Sequence, residues 1–183
     1  MRVVNIRIGG TAGREFPTWA YPNGRHLGLF WIPSYPCIVT GSDNAGNNVS
    51  ERFEVLRFGI LCNDGKTPKI VGLANYQMHV IKAWIGSYRV HSARSDENGA
   101  WQVYNNFLIH DGPDDLSLVG AFASIGCIEI TGPKGFSRFN DLIIKLSGPK
   151  ETSREAQLVE IGRTGSMRIT YEAARRPTLK PMS

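Results

Sequence analysis

No stretch of this sequence approaches the roughly 18 consecutive apolar residues that a membrane-spanning helix needs, so no membrane span is expected. Cysteine is scarce. Cys37, Cys62 and Cys127 are the only three, with no C-x-x-C pair and no histidine at ligand spacing, which argues against a structural zinc site. An odd number leaves at least one thiol unpaired in any compartment. Cys37 and Cys62 can pair in an oxidising setting or stand as two buried thiols, and the sequence supports both readings. The N-terminus, Met1-Arg2-Val3-Val4-Asn5-Ile6-Arg7-Ile8, alternates polar and apolar like a strand and lacks the apolar block of a signal peptide. The expectation is synthesis in the cytoplasm and, for action outside it, export by a route without a cleaved signal. Repeats and low-complexity tracts are also missing. Clustered charge is another absence: the net +5 is scattered, its one dense group being Arg175-Arg176 with Lys180. That pattern suits general attraction to a polyanion, whether nucleic acid, anionic membrane or bacterial cell wall, rather than a dedicated groove.

What is present is a globular composition, 42% apolar and 20% charged over 183 residues, enough for one domain with a buried core. Twenty glycines and ten prolines punctuate the chain into short segments, as a β-rich fold with mainly antiparallel sheets and many turns requires. Residues 1–50 read as an irregular N-terminal part. Gly9-Gly10-Thr11-Ala12-Gly13-Arg14 is a turn rather than a phosphate loop, since no Gly-Lys-Ser/Thr follows. The aromatics Trp19, Tyr21, Phe30, Trp31 and Tyr35, interleaved with Arg14, Arg25 and His26, fit either packing or stacking on a sugar or base, and packing is the commoner use. Residues 41–50 read as an exposed polar loop.

Residues 51–147 form the regular core of the pattern. Residues 52–58 alternate as a half-buried strand, and residues 59–62 and 69–73 flank the hairpin turn Asp64-Gly65. His79 and His91 fall in strand-like segments and read as polar-face residues rather than metal ligands. Residues 88–90 and 101–109 read as a hairpin about the turn at residues 95–99. Phe136, Phe139, Ile143 and Leu146 recur at helical spacing, stopped by Gly148-Pro149, which predicts one helix packed on the sheet. Residues 157–162 and 166–171 read as a last hairpin, and residues 175–183 as a loose tail.

The chemistry centres on residues 107–130. An apolar run, Phe107-Leu108-Ile109, delivers His110 to the turn Asp111-Gly112-Pro113, and Ile128-Glu129-Ile130 follows directly on Ser124-Ile125-Gly126-Cys127. Two strand ends therefore carry a histidine and a cysteine, the minimum needed to turn a thiol into a thiolate nucleophile. Glycine beside each lets backbone N–H groups approach a reacting carbonyl. Asp111 is a candidate to orient the His110 ring; Asp114 and Asp115 read as solvated carboxylates on a crossing over residues 114–120. Arg138 lies on another face of the predicted helix and is a candidate partner for a substrate carboxylate.

His110, a loop, then Ser124-Ile125-Gly126-Cys127-Ile128 resembles the signature of the YkuD-type L,D-transpeptidase family, a histidine followed by Ser/Thr-His-Gly-Cys and an apolar residue. Within it the chain is similar to the divergent branch seen among secreted bacterial antagonism effectors. The resemblance spans residues 88–130, and Ile125 stands where the family has a second histidine. It implies a β-sandwich or barrel with one or two short helices, forming a single catalytic domain over residues 1–183. It implies Cys127 as nucleophile, His110 as base, and Asp111 beside it. Gly126, Ser124, Gly112 and Arg138 would serve the oxyanion or substrate. The implied substrates are peptidoglycan stem peptides in the periplasm or wall of a target cell, with an immunity or inhibitor protein as a further partner and no metal or cofactor. A cysteine peptidase or amidase with another peptide target would use the same dyad. A non-enzymatic β-rich binding module would leave Cys127 buried and inert.

Overall fold

A computed structural model describes residues 1–90, 97–115 and 123–182 of the chain. The sequence calls on His91, on the turn at residues 95–96 and on the crossing at residues 116–120 lie outside the described residues. The strands are β1 (Val4–Ile8), β2 (Glu15–Pro22), β3 (Gly24–Ser42), β4 (Asn48–Leu56), β5 (Gly59–Cys62), β6 (Lys69–Val71), β7 (Gln77–Val80), β8 (Ala83–Ile85), β9 (Ala100–Tyr104), β10 (Phe107–Asp111), β11 (Ile128–Ile130) and β12 (Met167–Tyr171). Two helices, α1 (Gly135–Ser147) and α2 (Arg154–Thr164), separate β11 from β12. The fold is β-rich and mainly antiparallel, with two short helices.

Strands run in the order β6-β5-β2-β3-β4-β11-β10-β9-β8, and β1, β12 and β7 branch from β3. β3 makes the branch possible. Its first half pairs with β2, and its second half pairs with β4 on one edge and β1 on the other. The buried side switches partway along: Phe30 and Ile32 enter one apolar cluster with Phe16, Leu56 and Ile60, while Tyr35, Cys37 and Val39 enter the main core. Side chains alternate along a strand, so even and odd positions serve opposite faces of one sheet. Two cores therefore sandwich the layer formed by β3, β4, β11 and β10. Residues 9–50, which the sequence presents as irregular, contain this longest strand; its prolines Pro33 and Pro36 and the polar residues near its end disguise it.

α1 forms as expected from its 3–4 spacing. Phe136, Phe139, Ile143 and Leu146 are buried, and Gly148, with φ of 67°, caps the helix by donating its N–H to the Ile144 carbonyl at 3.1 Å. Trp101 Nε1 donates to Asn140 Oδ1 at 2.8 Å, tying the helix to β9 inside the core. The expected last hairpin is a correction: residues 157–162 belong to α2. Ser153 caps it by accepting from the Ala156 N–H, and only Leu158, Ile161 and Gly162 turn inward, a helical spacing that looks strand-like over so few residues. Residues 88–90 also depart from expectation, following β8 after a turn, and the true partner of β9 is Ala83–Ile85.

The C-terminal residues, expected to be loose, are strapped to the sheet. Trp31 N–H donates to the Lys180 carbonyl at 2.8 Å, Met182 N–H to the Leu29 carbonyl at 2.8 Å, and Arg176 Nη2 to the Gly72 carbonyl at 2.9 Å. Beneath this strap lies Arg57, fully buried. Its guanidinium donates to the carbonyls of Gly9, Glu172 and Leu73 at 2.7–2.9 Å, joining the chain just after β1, just after β12 and shortly after β6. Cys37 and Cys62 are free, buried thiols.

Candidate functional site

β10 and β11 pair in parallel, with Ile109 opposite Ile128, His110 opposite Glu129 and Asp111 opposite Ile130. Ile109, Ile128 and Ile130 point into the main core. Alternation therefore sends His110 and Glu129 to the other face, and Cys127 lies in the bend one residue before β11, its Sγ against the entry of β10. The row continues across the sheet, since Glu129 is opposite Leu56 and Leu56 opposite Ser34. His110 and Glu129 thus share one face of two adjacent strands, at the border of the smaller apolar cluster, and Cys127 sits where the chain enters β11.

The loop that delivers Cys127 is fixed by backbone proximity. Ser124 N–H donates to Thr18 Oγ1 at 3.0 Å, its hydroxyl donates to the Phe58 carbonyl at 3.1 Å, and its carbonyl accepts from the Ile60 N–H at 2.8 Å. Ser124 is therefore a lock between the motif and strands β2 and β5, not a donor aimed at substrate. A Cβ on Gly59 would lie 1.9 Å from the Ser124 carbonyl oxygen, so only glycine admits this approach. Gly126 has φ of +99°, and a Cβ there would meet the Gly72 backbone at 3.0 Å. The glycines thus set where the cysteine sits, and the spacing of the motif alone carried no sign of Gly59 or Gly72.

Cys127 is 7% exposed. Its Sγ lies 3.8 Å from the Asn106 carbonyl, to which the thiol donates. Burial pushes the thiol up to about 12; the Leu108 N–H opposes the rise and the Glu129 carboxyl adds to it. At rest the sulfur is protonated, the reverse of a preformed thiolate. His110, also buried, places Nδ1 2.7 Å from the Asp111 carbonyl. A carbonyl only accepts, so Nδ1 carries a proton, which in a neutral ring makes Nε2 the basic nitrogen. The Tyr88 ring lies 5.3 Å from the imidazole, and burial, with Cys127 and Glu129 nearby, pushes its phenol up.

Three sequence-derived roles change. The group that orients His110 is the Asp111 carbonyl; its carboxylate lies, by alternation, on the opposite face with Ile109. Gly112 N–H donates to the Ile130 carbonyl at 2.9 Å, extending the ladder, so it is spent on structure rather than on an oxyanion. Arg138 stacks over the Phe53 ring at 4.7 Å, on the face of the sheet that carries the main core, the side away from Cys127. The residue that sequence reasoning passed over is Glu129. It is 1% exposed, and burial, reinforced by Asp111, lifts its carboxyl to about 8, with Ser124 opposing. Its one sign in the sequence is an acid between two isoleucines in an otherwise apolar strand.

The aromatic segment is used for packing and surface contacts: Arg25 lies over Trp19 and Arg14 over Phe16. A cleft of about 500 Å³ opens beside Trp31, Tyr35 and Arg175, and neither His110 nor Cys127 lines it. Among the described residues, no group of three or more His, Cys, Asp or Glu is placed to hold a metal ion, and no helix is long and apolar enough to cross a membrane. Compared with protein-family models, with curated proteins and with solved structures, the chain matches none of them.

Proposed function

We propose that this protein is a cysteine acyl transferase or peptidase of the L,D-transpeptidase type, acting on peptidoglycan stem peptides. What supports the reading is the parallel pairing of β10 with β11, which sets the strand that carries His110 beside the strand that Cys127 leads into, while the Asp111 carbonyl accepts from Nδ1 of the imidazole. Nε2 takes the thiol proton and Sγ attacks the carbonyl carbon of a peptide bond. The collapse of the tetrahedral adduct breaks the C–N bond, and the imidazolium returns the proton to the leaving amine. Water or an amine then releases the acyl group from the thioester, giving a carboxypeptidase or a transpeptidase. The chemistry needs no metal or cofactor. The place of action is the periplasm or wall of a target cell, reached by export, with an immunity or inhibitor protein as the natural countermeasure.

Incubation of the protein and of Cys127→Ala with isolated muropeptides, followed by mass analysis, tests this. Loss of a terminal residue, or joined stem peptides, from the protein alone is the expected outcome. Unchanged muropeptides in both samples refute it. The burial of Cys127 and its raised thiol favour a second reading, an inert site on a binding module. A thiol that resists alkylation at every pH at which the protein stays folded is the mark of that module.

A further inference from the structure

We propose that Glu129 is the specificity-determining residue of this site, selecting a substrate that carries a cationic nitrogen close to the bond Cys127 attacks. The inference rests on the reading of Cys127 as a nucleophile and goes beyond it by naming the chemistry of what binds there.

Glu129 lies directly opposite His110 on one face, and its carboxyl is close enough to act on the Cys127 thiol two residues before it. Both of its carboxylate oxygens are buried, and neither has a hydrogen-bond partner among the described residues. Glu54, an acid of the adjacent strand β4, shows what a satisfied carboxylate looks like here. It accepts from Arg14, from the Ser34 hydroxyl at 2.8 Å and from the Thr131 hydroxyl at 2.9 Å. Among the described residues, the arginines of the neighbouring segments are committed elsewhere: Arg57 to three carbonyls and Arg14 to Glu54, while Arg138 lies over the Phe53 ring on the opposite face. The groups facing Glu129 are His110, Cys127, Ser124, Tyr88 and the apolar Leu56, with the charge of Asp111 close by. None of these is a fixed cation.

A buried acid with unmet acceptors is costly, and no Lys or Arg among the described residues bonds to it. The missing partner is then supplied from outside. The carboxyl of Glu129 lies close enough to Sγ to act on it, so a substrate ammonium near the scissile carbonyl comes within reach of the Glu129 carboxylate. The contact also offsets the effect of Glu129 on the thiol: a paired carboxylate no longer disfavours the neighbouring thiolate.

The test compares two methanethiosulfonate reagents of matched size, one with a cationic aminoethyl group and one with an uncharged propyl group. Labelling of Cys127 is followed by peptide mapping at about pH 8, where a free thiol is partly ionised. The preference for the cationic reagent is expected to be on the order of tenfold greater in the protein than in Glu129→Gln, the scale of one partly screened charge contact. Glu51→Gln, which removes an exposed acid of equal charge, leaves the preference unchanged. An equal preference in the protein and in Glu129→Gln overturns the assignment of Glu129 and leaves the nucleophile standing. So does an equal loss in Glu51→Gln, which marks a general field effect. Failure of both reagents to label Cys127 overturns the nucleophile itself and this proposal with it.

Discussion

Gly59→Ala is the sharpest perturbation of the way this fold presents its cysteine. A Cβ at position 59 falls 1.9 Å from the Ser124 carbonyl oxygen, 2.1 Å from its carbon and 2.4 Å from the Ile125 nitrogen. Ordinary contact needs about 3.4 Å or more, so the backbone of residues 124–125 has to retreat by more than an ångström. The move breaks the 2.8 Å bond from the Ile60 N–H and strains the Ser124 bonds to Thr18 and Phe58. Overpacking costs about 1–3 kcal/mol and a lost buried hydrogen bond about 1 kcal/mol, so we expect a loss of roughly 3 kcal/mol. For a chain of this size that is a fall in Tm of about 6–12 °C, read by calorimetry or circular dichroism. The same shift carries Gly126 and Cys127 with it, so the Cys127 labelling rate changes along with Tm. A Gly59→Ala protein with unchanged Tm and unchanged labelling refutes the claim that this contact sets the position of the cysteine.

Glu129 makes stability depend on pH. Its carboxyl is raised to about 8 from an ordinary value of 4.5, so the native state holds a proton that the unfolded chain releases. The contribution is fully present below about pH 4.5 and is lost as pH rises towards 8; Glu129→Gln should gain stability relative to the unaltered protein across that window, by of order 4 kcal/mol in urea titrations. A difference that does not vary with pH refutes it. Arg57→Met leaves three buried carbonyls without their donor and should cost about 3 kcal/mol or more by chemical denaturation. A chain ending at Arg176 loses the bonds from Trp31 and Met182 and the Lys180–Glu15 ion pair, and is expected to be about 2 kcal/mol less stable, with faster amide exchange at Trp31. Trp101→Phe strips Asn140 Oδ1 of its donor and should cost about 1–2 kcal/mol in the same assay, whereas Trp31→Phe, on a half-buried site, should cost less.

Local patterns were enough for some elements. The helix at Gly135–Ser147 was legible because a single apolar stripe and a glycine stop are both sequence-local, and the Gly59–Cys62 to Lys69–Val71 hairpin because Asp64-Gly65 marks its turn. β3 was not, because its inward face changes between Ser34 and Tyr35, and a strand that serves two cores has no single alternation to read. α2 was missed because three inward residues do not establish a period. At the site, His110 and Cys127 stood out by residue type and by their glycine neighbours. The role expected of the Asp111 side chain went to its carbonyl, a distinction that no residue name carries.

Composition and spacing by themselves determined a β-rich chain with a thiol and an imidazole at the ends of two strands. Only the folded chain decided that those strands run in parallel, which settles the shared face of His110 and Glu129, and that the Glu129 carboxyl has no hydrogen-bond partner among the described residues. The physical reason is range. Turn chemistry and periodicity act over a few residues, whereas burial, register and the approach of Gly59 to Ser124 depend on segments brought together from distant parts of the chain.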